Sequence, residues 1–111
     1  MAETFDNASV RLSTTNETDI YQAPTASGNV AIALSCMVAN VDGTDACTID
    51  IRITDSSNTL QSFLCKALDV PAGASVEVIV NKVVLTQSQK IRAQAETAND
   101  LDVTVSVLEI T

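Results

Sequence analysis

The chain has 111 residues, with 14 acidic and 6 basic side chains and no histidine, for a formal net charge of −8. That length makes one domain and buries roughly 65% of the unfolded surface in one modest core. An acidic surface repels nucleic-acid phosphate and anionic membranes, so neither is an expected partner.

Aromatic residues are 3% of the chain and tryptophan is absent. Aromatics carry the largest buried area per residue. The core must therefore be assembled from Val, Ile, Leu and Ala, and contacts with a partner would add to it.

Residues 1–8 read as an N-terminal arm, polar apart from Phe5. Termini stay mobile unless something ties them down. Phe5 reads first as local packing under a sheet and second as an anchor onto a partner. The rest, 9–111, reads as a single domain. Ser9 to Ser13 alternates, with Val10 and Leu12 on one side. Thr18 to Gln22 is a short strand stopped by Ala23-Pro24, and Thr25 to Asn29 is a loop.

The centre of the sequence is Val30 to Thr54. It reads as a hairpin with its turn at Asp42-Gly43-Thr44-Asp45. On the first strand Val30, Ile32, Leu34, Cys36 and Val38 share a face. On the second, Ile49, Ile51 and Ile53 oppose Thr48, Asp50, Arg52 and Thr54. Alternation with period two marks a sheet with one packed and one wet face.

Leu60 to Leu68 reads as a strand, with a short helix as the alternative. Ser75 to Val80 and Lys82 to Thr86 are β-branched and form either a hairpin or one bent strand. Lys90 to Glu96 places Ile91, Ala93 and Ala95 inward. Leu101 to Ile110 closes the chain with Leu101, Val103, Val105 and Val107 on one face. Its phase then changes, because Leu108 and Ile110 are also apolar. A bulge, or an edge presented to a partner, would account for that. Seven or eight short strands with turn signals every 8–12 residues or so define an all-β fold, an antiparallel β-sandwich or small jelly roll.

Little in the sequence carries chemistry. Without histidine there is no Ser-His or Cys-His pair, and the commonest metal ligand is missing. Cys36, Cys47 and Cys65 contain no CxxC spacing and read as reduced thiols, with a Cys36–Cys47 cross-hairpin bridge as the alternative. The opening MAETFDNASVRLS is polar and acidic, unlike a secretion signal. Asp42-Gly43-Thr44-Asp45 has the oxygen ligands of a Ca²⁺ loop but not the spacing, and reads as a turn. Asp100 and Asp102 read as exposed acids on a wet face. Tyr21 reads as packing on the neighbouring loop. The six basic residues are scattered, and only Lys90 and Arg92 share a face. No catalytic, metal or cofactor residue is expected, and the chain reads as a structural or interaction domain and not an enzyme.

Four stretches resemble small virion proteins of tailed bacteriophages: Ile20-Tyr21-Gln22-Ala23-Pro24, Met37-Val38-Ala39-Asn40-Val41-Asp42-Gly43-Thr44, Val70-Pro71-Ala72-Gly73-Ala74-Ser75, and Leu101 through Ile110. The resemblance spans residues 18–110 and rests mostly on turn residues. It implies a β-sandwich of the capsid decoration, or cement, type, located on the virion and made in the host cytoplasm. Its expected partners are the major capsid protein or other virion proteins, with a homo-oligomer, trimer or dimer, as the free state. A neck, collar or tail component is the second reading, and a carbohydrate- or receptor-binding module a third. Phe5, Val10 and Leu12 are the expected interface residues.

Overall fold

A computed structural model describes residues 2–111. Nine strands run through them: β1 (Glu3–Arg11), β2 (Thr18–Gln22), β3 (Val30–Asn40), β4 (Cys47–Thr54), β5 (Leu60–Val70), β6 (Ser75–Glu77), β7 (Val83–Leu85), β8 (Lys90–Ala95) and β9 (Leu101–Ile110). They form two antiparallel sheets, one in the order β1-β9-β3-β6 with β7 also on β3, the other in the order β2-β8-β4-β5. Taking β6 and β7 as one broken strand, the first strand pairs with the last, the second with the next to last, and so on inward. That nested pairing, rolled up so that β9 also meets β3 and β8 also meets β4, is the jelly-roll form of the β-sandwich.

The core follows the alternation. Ile49, Ile51 and Ile53 of β4, Ile91, Ala93 and Ala95 of β8, and Leu101, Val103, Val105 and Val107 of β9 are all buried between the sheets. Each fully buried Ile, Leu or Val contributes about 1.5–3 kcal/mol of transfer free energy.

Val30 to Thr54 is not a hairpin. β3 lies in the first sheet and β4 in the second, and residues 41–46 carry the chain across between them. β3 already has β9 on one side and β6 and β7 on the other, so no ladder is left for β4. Asn40 fixes the crossover. It is almost fully buried; its Nδ2 donates to the carbonyls of Asp45 (3.0 Å) and Val70 (2.9 Å), and its Oδ1 accepts from the Asp42 N–H (2.9 Å). Replacing it by Leu leaves those backbone groups without partners. Asn40→Leu is expected to cost about 1–3 kcal/mol, read from the shift of a urea unfolding midpoint.

The faces of β3 also differ from the sequence reading. Its register against β9 shifts between Ala33 and Ser35. Cys36 and Val38 face the core as expected, but before the shift the buried residues are Ala31 and Ala33. Val30, Ile32 and Leu34 are half-buried and belong to the outer face. Ala31 lies beside the buried Leu85, so a small residue next to a large one fills the layer.

Ser75 to Leu85 resolves as one bent strand. β6 and β7 pair with the same strand in the same direction, and residues 78–82 leave the sheet between them. Glu77 closes the gap. Its Oε2 accepts from the backbone N–H of Cys36 (2.7 Å) and of Ile79 (3.1 Å), where a strand carbonyl would otherwise sit. Leu60 to Val70 is a strand, as preferred from the sequence.

Residues 1–8 do not lie apart as an arm in the part described. Glu3 through Ala8 are the first two thirds of β1, in register with Ile110 through Val105. Nearly every side chain there is exposed, so the strand has no apolar alternation to reveal it. What orders it is the ladder offered by the side of β9 opposite β3.

All three cysteines are free thiols. Cys36 is fully buried, and that burial, reinforced by the Glu77 carboxylate, pushes its thiol up to about 12. A raised native value means that stability from keeping the thiol neutral is intact below pH 9 or so and is lost as pH rises toward 12, at about 1.4 kcal/mol per unit. The alkaline limb of a stability–pH curve is expected to flatten by that amount in Cys36→Ala. In the native wild type, Cys36 is expected to resist an aromatic disulfide reagent at pH 8.

Candidate functional site

The two outer faces of the sandwich have opposite character. On the second sheet, alternation turns Thr48, Asp50 and Arg52 of β4 and Lys90, Arg92 and Gln94 of β8 outward. The β4–β8 register sets Arg52 directly beside Arg92, and acids from β2 and its approach neutralise them. Glu17 reaches both, with Oε2 3.1 Å from Arg52 Nη1 and Oε1 3.0 Å from Arg92 Nη1. Asp19 accepts from Arg92 and from Lys90 Nζ (3.1 Å). Partial burial raises the Asp19 carboxyl, and the two cations more than reverse that, holding it below the usual carboxylate range. Arg52 and Lys66 also lie over the Phe63 ring, at 5.1 and 4.7 Å.

The fold thus gathers four of the six basic residues onto one face, which the scattered sequence positions hide. It also pairs each of them with an acid, so they form a neutralised network and not a phosphate-binding stripe.

The outer face of the first sheet is apolar at one end. Register alone brings this about. Phe5 pairs with Leu108, Leu108 with Ile32, and Ile32 with Val84, so one row of large apolar side chains crosses β1, β9, β3 and β7. The next row continues it with Ile110 and Val30. Phe5 is 76% exposed and Val84 58%. Val80, at the tip of the excursion between β6 and β7, is 91% exposed and lines a shallow depression with Leu34, Asn81 and Lys82. Single exposed apolar groups are ordinary; here they form a contiguous row across four strands, which makes this face the candidate docking surface. Toward the other end the rows turn mostly small and polar, through Asn7, Ser106 and Ser35, then Ser9 and Thr104 beside the exposed Met37, to the Arg11–Asp102 pair at 2.7 Å.

Of the residues expected at an interface, Phe5 lies on this row and Val10 is half-buried against the core. Leu12 does not belong. It is completely buried, its N–H donating to the Leu101 carbonyl at 2.9 Å, and offers no surface to a partner. Ile32 and Val84 share the row with Phe5, and Val80 lies exposed nearby, a placement that no local pattern in the sequence marks. The phase change at Leu108 and Ile110 is the trace of the row in the sequence; the ladder does shift beside it, but the extra residue lies in β3, opposite Ser106 and Val107, and β9 presents no edge. β9 is a central strand whose alternation continues, with the apolar Leu108 and Ile110 on its outer face and Val107 and Glu109 on its inner one.

The remaining candidates resolve as structure. Asp42 Oδ1 accepts from the Thr44 N–H at 2.9 Å, an Asx turn. Asp102 is clamped through both oxygens by Arg11, which holds its carboxyl below the usual range. The Tyr21 hydroxyl donates to Glu109 Oε2 at 2.5 Å, tying the second sheet to the end of the first; burial and that carboxylate raise its titration far above the ordinary range. Among the described residues no group of three or more His, Cys, Asp or Glu side chains is placed to hold a metal ion. Nor is any helix long and apolar enough to cross a membrane.

No protein-family model matches the chain, and no curated protein matches it significantly in sequence. Among solved structures, a chain from the acidic stable capsid of the Helicobacter pylori bacteriophage KHP30 is similar, with a TM-score of 0.58 at 12% identity. The match covers 100% of this chain and 89% of that one. At that identity the two share a fold.

Proposed function

We propose that this protein is a non-enzymatic structural component of a tailed-phage virion, a decoration protein seated on the outside of the head across capsomer junctions. The observation that carries the reading is the end-to-end likeness of its fold to a chain of a phage capsid. The apolar row of Phe5, Leu108, Ile32 and Val84 supports it, because it supplies an adhesive face on a body whose other face is already self-satisfied. The partner is the major capsid protein, and the clamp works by burying that row against the lattice. A sugar-binding reading has little to stand on: Phe63 lies under two cations and Tyr21 is engaged by Glu109, which leaves Phe5 alone as an open ring, among aliphatic neighbours.

The test is to mix the purified protein with particles that lack it and count bound copies by quantitative gel analysis and electron microscopy. Loading at many copies over the head is the expected result. Loading at a few copies at one vertex or on tails would move the protein to the neck, collar or tail. No loading on any particle would remove the virion reading.

A further inference from the structure

Each sheet ends in two open edges, and three of those four edges are blunted. β2 is five residues long, shifts register between Asp19 and Tyr21, and soon meets Pro24. β5 carries three register shifts against β4 and holds Ala67 at a φ of 51°. The β6–β7 edge is broken where residues 78–82 leave the sheet. Short, bulged or interrupted edges are how β proteins avoid pairing with one another. β1 has none of these devices. It runs nine residues along β9 without a shift and contains no Pro, Gly or Lys.

The bonds beyond its two ends fix which side of β1 is open. Ala2 and Thr111 exchange backbone bonds of 3.0 and 2.9 Å, and the Leu12 N–H donates to the Leu101 carbonyl at 2.9 Å. Even-numbered residues therefore bond to β9. Glu3, Phe5, Asn7, Ser9 and Arg11 turn their N–H and C=O groups toward the open edge. The Asn7 N–H is capped by Oδ1 of the adjacent Asp6 at 2.8 Å, a local contact that a partner strand's carbonyl replaces.

We propose that β1 is a dimerisation strand: a second copy of this chain adds its own β1 antiparallel, about a two-fold axis through Asn7, joining the two first sheets into one. In that register Glu3 faces the partner's Arg11 at both ends of the seam. Asp6 faces the partner's Ala8, and Phe5 the partner's Ser9. Arg11 already holds Asp102 at 2.7 and 3.0 Å and has donors left for a second carboxylate. Other registers are worse. A slip of two residues one way sets Asp6 against the partner's Asp6, a like-charge pair that destabilises a ladder. The same slip the other way leaves Glu3 unopposed. Self-pairing by β-strand addition thus has one favoured register written in the charges of β1 itself.

The inference concerns the free protein and stands apart from the virion reading. Sedimentation velocity at high micromolar concentration is expected to show a dimer. Asn7→Pro removes an N–H that faces the open edge and leaves the β9 ladder intact. It is expected to sediment as a monomer with an unchanged unfolding temperature. Glu3→Arg, which touches no backbone bond, sets Arg against the partner's Arg11 and is expected to weaken the dimer about tenfold or more. A wild type that stays monomeric, a trimer, or a dimer that survives both substitutions would overturn the proposal. Should Asn7→Pro lower the stability of the fold, Glu3→Arg decides alone, and an unchanged dimer constant overturns it.

Discussion

Leu12→Ala is expected to lower the unfolding free energy by about 2–5 kcal/mol, the range for emptying a fully buried leucine site. Leu12 sits one residue past β1, where the first sheet closes over the core, and its side chain is wholly excluded from water. Its backbone is held at both groups, by the Leu101 carbonyl at 2.9 Å and the Asn99 N–H at 2.8 Å. The main chain therefore has little freedom to collapse into the space that the missing carbons leave. Since domains of this size hold about 5–15 kcal/mol in all, the loss is a large share of the total. Urea unfolding measures it as a fall in midpoint at constant slope. Phe5→Ala, on the same strand but 76% exposed, is expected to move the midpoint by no more than about 0.5 kcal/mol. Equal stability of Leu12→Ala and wild type would show that Leu12 is not in the core.

That contrast shows where the sequence is legible. β2, β4, β8 and β9 are plain in it because each has one apolar and one polar face for most of its length. The alternation of β3 misleads, since Val30-Ala31-Ile32-Ala33-Leu34 is apolar on both faces. A reading by size then puts the larger set inside, but the register shift after Ala33 puts the alanines there. The crossover at Asn40 is hidden for a different reason. Alternation says which side chains share a face and nothing about which strand lies alongside, so an arch between sheets and a hairpin within one look alike. β1 is hidden because its order comes from backbone bonding to β9, which leaves no mark on side-chain type. The candidate site is the least legible part. Its residues come from positions 5, 32, 84 and 108, and only strand register makes them neighbours.

The apolar row, as the proposed contact with the particle, yields the second large effect. Val84→Asp places a carboxylate at the far end of the row from β1, on a side chain already 58% exposed. The fold is expected to tolerate it, with stability lowered by no more than about 1 kcal/mol, since no core contact is lost and the whole β-propensity scale from Val to Asp spans about that much. Particle loading is expected to fall at least 30-fold or so, the equivalent of one interface hot spot of about 2 kcal/mol, because a buried, unpaired charge then sits in an apolar contact. Val84→Lys separates burial from charge sign. If the row works by excluding water, both substitutions abolish loading. If long-range attraction to the lattice governs, Lys on a chain of net charge −8 moves loading opposite to Asp. Val84 lies across the sheet from the open edge of β1, so both variants are expected to keep the solution dimer that Asn7→Pro dissolves. Loading lost with the dimer intact would show that the apolar face and the strand edge are separate surfaces, the first turned to the particle and the second to another copy of the chain. Full loading by both Val84 variants would remove the row from the interface and move the search to the loops at the ends of the sandwich.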